Sequence, residues 1–149
     1  MSRLEIRPLE PHDYAAWLPL WQGYQAFYQV DLGPEVTRTT WARFHDPSEP
    51  IFGLGAFEAG KLLGISHYLF HRSGWTIEPS CYLQDLFTIP EARGNGVGRA
   101  LIEAVAAVAK RAGSSRVYWL THESNAGAMT LYDKVAVKSG FVHYRKNAG

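Results

Sequence analysis

The chain reads as an α/β domain with a mixed sheet. Three observations carry this. Strand-forming and helical stretches alternate along the chain, in the order β, α, α, β, β, β, α, β, α, β. Two of the strand-forming stretches are joined by a four-residue glycine-containing link. A glycine-rich loop stands between the strongest strand pattern and the most amphipathic helix.

The elements follow in order. Leu4-Glu5-Ile6-Arg7 alternates apolar and charged, a short strand signal that Pro8 ends. A helix starts near Pro11–Tyr14, with Trp17, Leu20, Trp21, Tyr24, Phe27 and Tyr28 at steps of three and four on one face. Pro19 is expected to kink or divide it. After Gly33-Pro34, a second short helix runs from Glu35 to His45, with Trp41 and Phe44 on one side. Ile51–Phe57 and Lys61–Phe70 form a hairpin through Glu58-Ala59-Gly60-Lys61. Cys81–Ile89 is apolar on both faces except at Gln84 and Asp85, as expected of a central strand. Gly98–Ala112 carries the stripe Leu101, Val105, Val108 and Ala112, widened by Ile102 and Ala109. Lys110 and Arg111 suit its C-terminal dipole, and Gly113 sits where a capping glycine belongs. A strand at Val117–Thr121, a helix at Asn125–Val135 and a last strand at Phe141–Arg145 complete the chain.

Composition narrows the function. At 149 residues the chain is expected to be one domain, 1–149. The net charge is +1, too small for a nucleic-acid footprint. The N-terminus lacks the apolar core of a signal peptide, and no apolar run approaches the roughly 20 residues of a membrane span. A cytoplasmic protein with neither nucleic acid nor membrane as partner is therefore expected. Cys81 is the only cysteine, so no intrachain disulfide forms. A covalent role for its thiol would need a base and an orienting group. His67 and His71 lie four apart on a strand with no third ligand in view, so no metal site is expected.

The chemistry concentrates in Arg93-Gly94-Asn95-Gly96-Val97-Gly98-Arg99. Three glycines in five residues leave main-chain N–H groups uncovered at a helix N-terminus, where the dipole favours anions. This is a phosphate cradle built from main chain. The spacing G-x-G-x-G lacks the last glycine of a dinucleotide fingerprint, and no G-x-x-x-x-G-K-[ST] occurs.

The same residues resemble the [R/Q]-x-x-G-x-[G/A] signature of the GNAT superfamily of acetyl-CoA-dependent N-acetyltransferases. Asn125 through Tyr132, within ESNAGAMTLY, is similar to that family's N-x-x-A-x-x-L-Y helix. The run VYWLTHESN…LYDKVA…GF…Y resembles a narrower branch of small histone and polyamine acetyltransferases. The resemblance implies a mixed, mostly antiparallel central sheet flanked by helices. It implies that Arg93, Gly94, Asn95, Gly96, Val97, Gly98 and Arg99 bind the CoA pyrophosphate. Leu86, Phe87 and Thr88 would pair their main chain with the pantetheine arm, in addition to any role in the sheet core. Asn125 would contact the CoA arm or act as a helix N-cap. Tyr132 would be the acid facing the departing thiolate, or else a core aromatic.

The catalytic base stays open. An amine of pKa near 10 is about 0.1% neutral at pH 7, so something must take its proton. Relatives of the narrower branch often have Glu-Asp where this chain has Gln84-Asp85. Gln84 is no base, so Asp85 acts through water or as an anionic seat for the ammonium. His122 and Glu123 are second candidates. Trp21, Tyr24, Phe27 and Tyr28 are substrate wall or core, and Trp21, Tyr24, Tyr28, Gln84 and Asp85 are expected to meet the acceptor. The activity implied is transfer of acetyl from acetyl-CoA to a primary amine of a small molecule, in a ternary complex, with backbone N–H groups of the central strand meeting the oxyanion. A protein lysine or N-terminus as acceptor, and a non-catalytic CoA sensor, remain as alternatives. A homodimer is expected through Phe141–Arg145, because an apolar edge strand needs a cover.

Overall fold

The computed structural model describes residues 3–149. Five strands, β1 (Leu4–Pro8), β2 (Ile51–Glu58), β3 (Lys61–His71), β4 (Ser80–Thr88) and β5 (Arg116–Tyr118), form one sheet in sequential order. The first four pair antiparallel, and β4 pairs parallel with β5. Helices α1 (Tyr14–Phe27) and α2 (Gly33–Phe44) cover one face. The other carries α3 (Val97–Arg111) and α4 (Ala126–Val135).

Each face has its own apolar cluster. Trp17, Leu20 and Trp21 of α1 bury against Phe57, Leu62, Ile65 and Phe87. Leu101, Val105 and Ala109 of α3 bury against Leu54, Ala56, Tyr68 and Leu83. The hairpin between β2 and β3 closes through Ala59 and Gly60, both at positive φ (51° and 81°). That pair of left-handed residues matches the twist of the strands it joins.

Pro19 neither ends nor divides α1, which runs from Tyr14 to Phe27. Proline removes the N–H that would bond to Ala15. Ala15 and Pro19 are both exposed, so water can satisfy the freed carbonyl. The strand expected at Val117–Thr121 is three residues long, Arg116–Tyr118. The strand expected at Phe141–Arg145 does not form; residues 136–149 hold no helix or strand and are exposed throughout. A strand needs a neighbour for its N–H and C=O groups. The sheet ends in a three-residue β5 with no ladder for that segment to join.

Candidate active site

A β-bulge organises the site. His67 pairs with Asp85 but Tyr68 pairs with Leu83, so Gln84 is an extra residue in β4. Without it, Leu83 and Asp85 would share a face. With it, Leu83 packs in the cluster under α3, whereas Asp85 turns to the α1 face. Beyond the bulge β4 loses its neighbour, since β5 pairs only with Ser80–Tyr82. A cleft opens where the two strands part.

The open edge of β4 has a defined pattern. Ile89 donates its N–H to Leu63 O at 2.9 Å. Alternation then turns the main chain of Phe87 toward β3, and that of Leu86 and Thr88 toward the open side. Phe87 therefore has its main chain committed to the sheet, and its ring sits in the α1 cluster. Leu86 and the N–H of Thr88 remain available to an extended ligand, the Thr88 carbonyl being taken by Arg93.

The cleft holds a cavity of about 350 Å³. Tyr24 and Tyr28 line it from α1, Tyr82 to Leu86 from β4, Trp119 to His122 from the segment after β5, Tyr132 from α4, and His143 from the C-terminal segment. Asp85 is its buried carboxylate, 8% exposed. Behind Asp85 lies His67, fully buried, with Nδ1 2.9 Å from Asp85 Oδ2. The other ring nitrogen, Nε2, accepts the Trp17 indole N–H at 3.0 Å. Burial, then the negative charge of Asp85 and a hydrogen bond to it, push the Tyr24 hydroxyl far above the usual phenol range. Burial and Asp85 raise Tyr28 as well.

Tyr132 lines the same cavity from α4. Its ring packs edge-on against Trp119 at 5.4 Å. Burial, with a smaller contribution from Tyr28, pushes its hydroxyl up to about 12. It stays protonated at neutral pH and can donate a hydrogen bond. With that proton in place it can hydrogen-bond or protonate a departing thiolate.

The glycine loop lies at the head of α3. Gly94 and Gly96 both adopt φ of +82°, and Gly96 caps the helix in the left-handed region. The first helical bond there runs from Ala100 N to Gly96 O. The N–H groups of Val97, Gly98 and Arg99 therefore have no partner within the helix. That geometry fits the pyrophosphate of a CoA thioester. Arg93 has a different job for its side chain, which lies over Phe87 (5.6 Å) and donates Nε–H to Thr88 O, tying the loop to β4. Arg99 pairs with Glu103 at 3.1 Å. Asn95 donates to Ala92 O.

Other expected site residues fall elsewhere. Trp21 does not line the cavity; it is buried in the α1 cluster and donates to Thr37 Oγ1 at 3.2 Å. Gln84 is exposed at the rim. Asn125 precedes α4 at the capping position but makes no capping bond; its amide donates to Thr121 Oγ1 at 3.3 Å. His122 lines the cavity and Glu123 does not. His71 meets the Tyr118 hydroxyl at 2.7 Å rather than joining His67. Tyr82 and Trp119 were not singled out in the sequence, and their strand periodicity offers no signal for the role.

The model of the acetyltransferase (GNAT) family matches residues 17–136. The D-amino-acid N-acetyltransferase HPA3 of Saccharomyces cerevisiae is 43% identical over 148 residues, covering 98% of this chain and 92% of that one. The thialysine N-epsilon-acetyltransferase of Mus musculus is 33% identical over 78 residues, covering 52% of this chain and 45% of that one. The solved structure of AAC(6')-Iy in complex with the bisubstrate analogue CoA-S-monomethyl-acetylneamine has a TM-score of 0.84 at 17% identity, over 99% of this chain and all of that one, a likeness of fold. The chain belongs to the GNAT family of acetyltransferases and is an acetyl-CoA-dependent N-acetyltransferase.

Proposed function

We propose that the chain acetylates the primary amine of a small molecule by direct attack within a ternary complex. The observation that carries this reading is the buried Asp85 carboxylate at the head of a tyrosine-lined cavity, with Tyr132 on its wall. Acetyl-CoA supplies the acetyl thioester, held by the main chain of residues 93–99 and by the open edge at Leu86 and Thr88. Asp85 seats the acceptor ammonium and passes one of its protons through water to solvent, and the proton the nitrogen sheds as the C–S bond breaks ends on the CoA thiolate. The aromatic rings of Tyr24, Tyr28 and Tyr82 add a wall with affinity for cations. An outward-facing Leu86 N–H meets the negative charge that develops on the acetyl oxygen. Tyr132 donates a hydrogen bond to the departing sulfur.

D-amino acids are the first acceptor class to test, because HPA3 is named for them and resembles this chain along its length. The cavity supports a compact acceptor better than a polypeptide. Thiol release from acetyl-CoA is to be measured with D- and L-amino acids, thialysine, spermidine and a lysine peptide. Turnover of small amines well above the peptide is expected. Release with the peptide alone, or with no amine, overturns the reading.

The homodimer is part of the proposal. Phe141, Val142 and Tyr144 are 75–89% exposed in the protomer. A second copy is the natural cover for such a segment.

A further inference from the structure

We propose that His67 is a positioning residue for the acceptor site: it holds the Asp85 carboxylate aimed into the cavity, and Trp17 holds His67 in the one tautomer that does so. The inference rests on Asp85 being the acceptor's seat.

Hydrogen-bond chemistry assigns each proton. The indole nitrogen of Trp17 only donates. Its 3.0 Å contact with His67 Nε2 therefore requires a lone pair on Nε2. A doubly protonated ring would set two donors against each other at that distance. The single ring proton is then on Nδ1, which lies 2.9 Å from Asp85 Oδ2. The carboxylate accepts that bond and needs no proton of its own.

The chain of indole, imidazole and carboxylate runs from the core to the cavity. Trp17 and His67 are fully buried, and Trp21 and Phe44 pack on the imidazole at 5.2 and 4.6 Å. The groups that face Asp85 are Tyr24 and Tyr28 on α1, His67 on β3 and Tyr82 on its own strand. His122, His143 and Tyr132 border the same cavity, and among the described residues no lysine or arginine lines it. A buried carboxylate without a fixed cation is costly unless donors hold it. His67 supplies a buried donor and Tyr24 a second from α1, which leaves the carboxylate's remaining lone pairs to an ammonium.

The test uses four variants of the full chain: His67→Leu, His67→Asn, Asp85→Asn and the double variant His67→Leu/Asp85→Asn. Asparagine keeps a donor near the Nδ1 position; leucine removes it. The probe acceptors are D-phenylalanine and benzylamine. The Leu variant should lose roughly 10- to 100-fold in kcat/KM for the amine, the span expected of a bond to a charged group. Its CoA affinity by calorimetry should change less than about twofold, and the Asn variant should recover most of the loss. In the Asp85→Asn background the leucine substitution should change kcat/KM less than about twofold. Long-range nitrogen NMR of the wild type should show Nδ1 protonated and Nε2 bare. A proton on Nε2, an equal loss in the Asp85→Asn background, or an Asn variant that binds CoA normally yet is as inactive as Leu overturns the proposal. If the wild type acetylates neither amine, the acceptor reading fails, and the nitrogen spectrum decides the tautomer separately.

Discussion

Tyr132→Phe removes one hydroxyl and little else. The ring keeps its edge-on contact with Trp119, and Leu131 and Val135 of α4 keep their packing against the α3 cluster. The hydroxyl is half-buried at the cavity wall, and its value of about 12 means it remains a donor at any pH where the enzyme works. A neutral donor facing a neutral thioester sulfur gains little in the ground state. The same donor facing a forming thiolate makes a bond to a charged group, worth about 1.5–3 kcal/mol. The variant should therefore lose roughly 10- to 150-fold in kcat, with KM for acetyl-CoA and amine nearly unchanged. The loss should shrink with acetyl thioesters of more acidic thiols, which leave without help. Thiol release at saturating substrate, repeated with a series of leaving thiols, measures both effects. An unchanged kcat with chemistry shown to limit the rate, or a loss independent of the leaving thiol, refutes the role of Tyr132.

Gly96→Val places a β-branched residue at φ +82°, a conformation that costs ordinary residues roughly 1–2 kcal/mol, and relief of that strain dismantles the N–H cradle. Calorimetry should show CoA affinity reduced at least about tenfold; unchanged affinity refutes the cradle. Burial raises Cys81 to about 11, and Tyr68 and Tyr132 to about 12. The folded state thus holds these protons more tightly than the unfolded chain, whose ordinary values are 9.0 and 10.0. That stability is fully present below pH 9 and is lost as pH rises through 11 to 12. Thermal melts by circular dichroism should show a melting temperature independent of this effect up to pH 9 and falling above it; a constant value to pH 12 contradicts the assignment. Ending the chain after Lys138 should leave the melting temperature within a few degrees, since residues 136–149 are exposed in the protomer, and should convert a dimer to a monomer by light scattering. A full-length monomer, or a truncated dimer, refutes the proposed interface.

The parts legible in the sequence are those encoded locally. Gly94 and Gly96 stand where the backbone needs positive φ, and α3 has a periodic apolar stripe ended by Gly113 at φ +81°. Periodicity also marked the aromatic face of α1. It could not say where along that face the core ends. Trp17 and Trp21 lie over the sheet, whereas Tyr24 and Tyr28, one and two turns on, reach the cavity. That division depends on how α1 crosses β3 and β4. His67 was paired with His71 by spacing, but its partners are Asp85 and Trp17, 18 and 50 residues away. Such contacts follow from strand register, and this register contains a bulge. The C-terminal segment has strand-forming side chains, yet strand formation is a property of pairs, and the protomer offers no partner.

The bulge at Gln84 joins the fold to the chemistry. An antiparallel strand with strict alternation turns Leu83 and Asp85 to one face. On the α3 face, Asp85 would meet Leu101 and Val105, apolar surroundings that penalise a charge. One extra residue resolves the conflict: Leu83 stays in the core, and Asp85 meets His67. The bulge also comes two residues past the last pair between β4 and β5. Bulges bend a strand and increase its twist, which favours separation at that point. The separation exposes the main chain of Leu86 and Thr88 while the bulge aims Asp85 into the same cleft. The unpaired backbone proposed to hold the thioester arm and the carboxylate proposed to seat the amine thus come from one irregularity. The cradle at Gly94–Gly98 lies down-chain of that irregularity, tied back to Thr88 by Arg93.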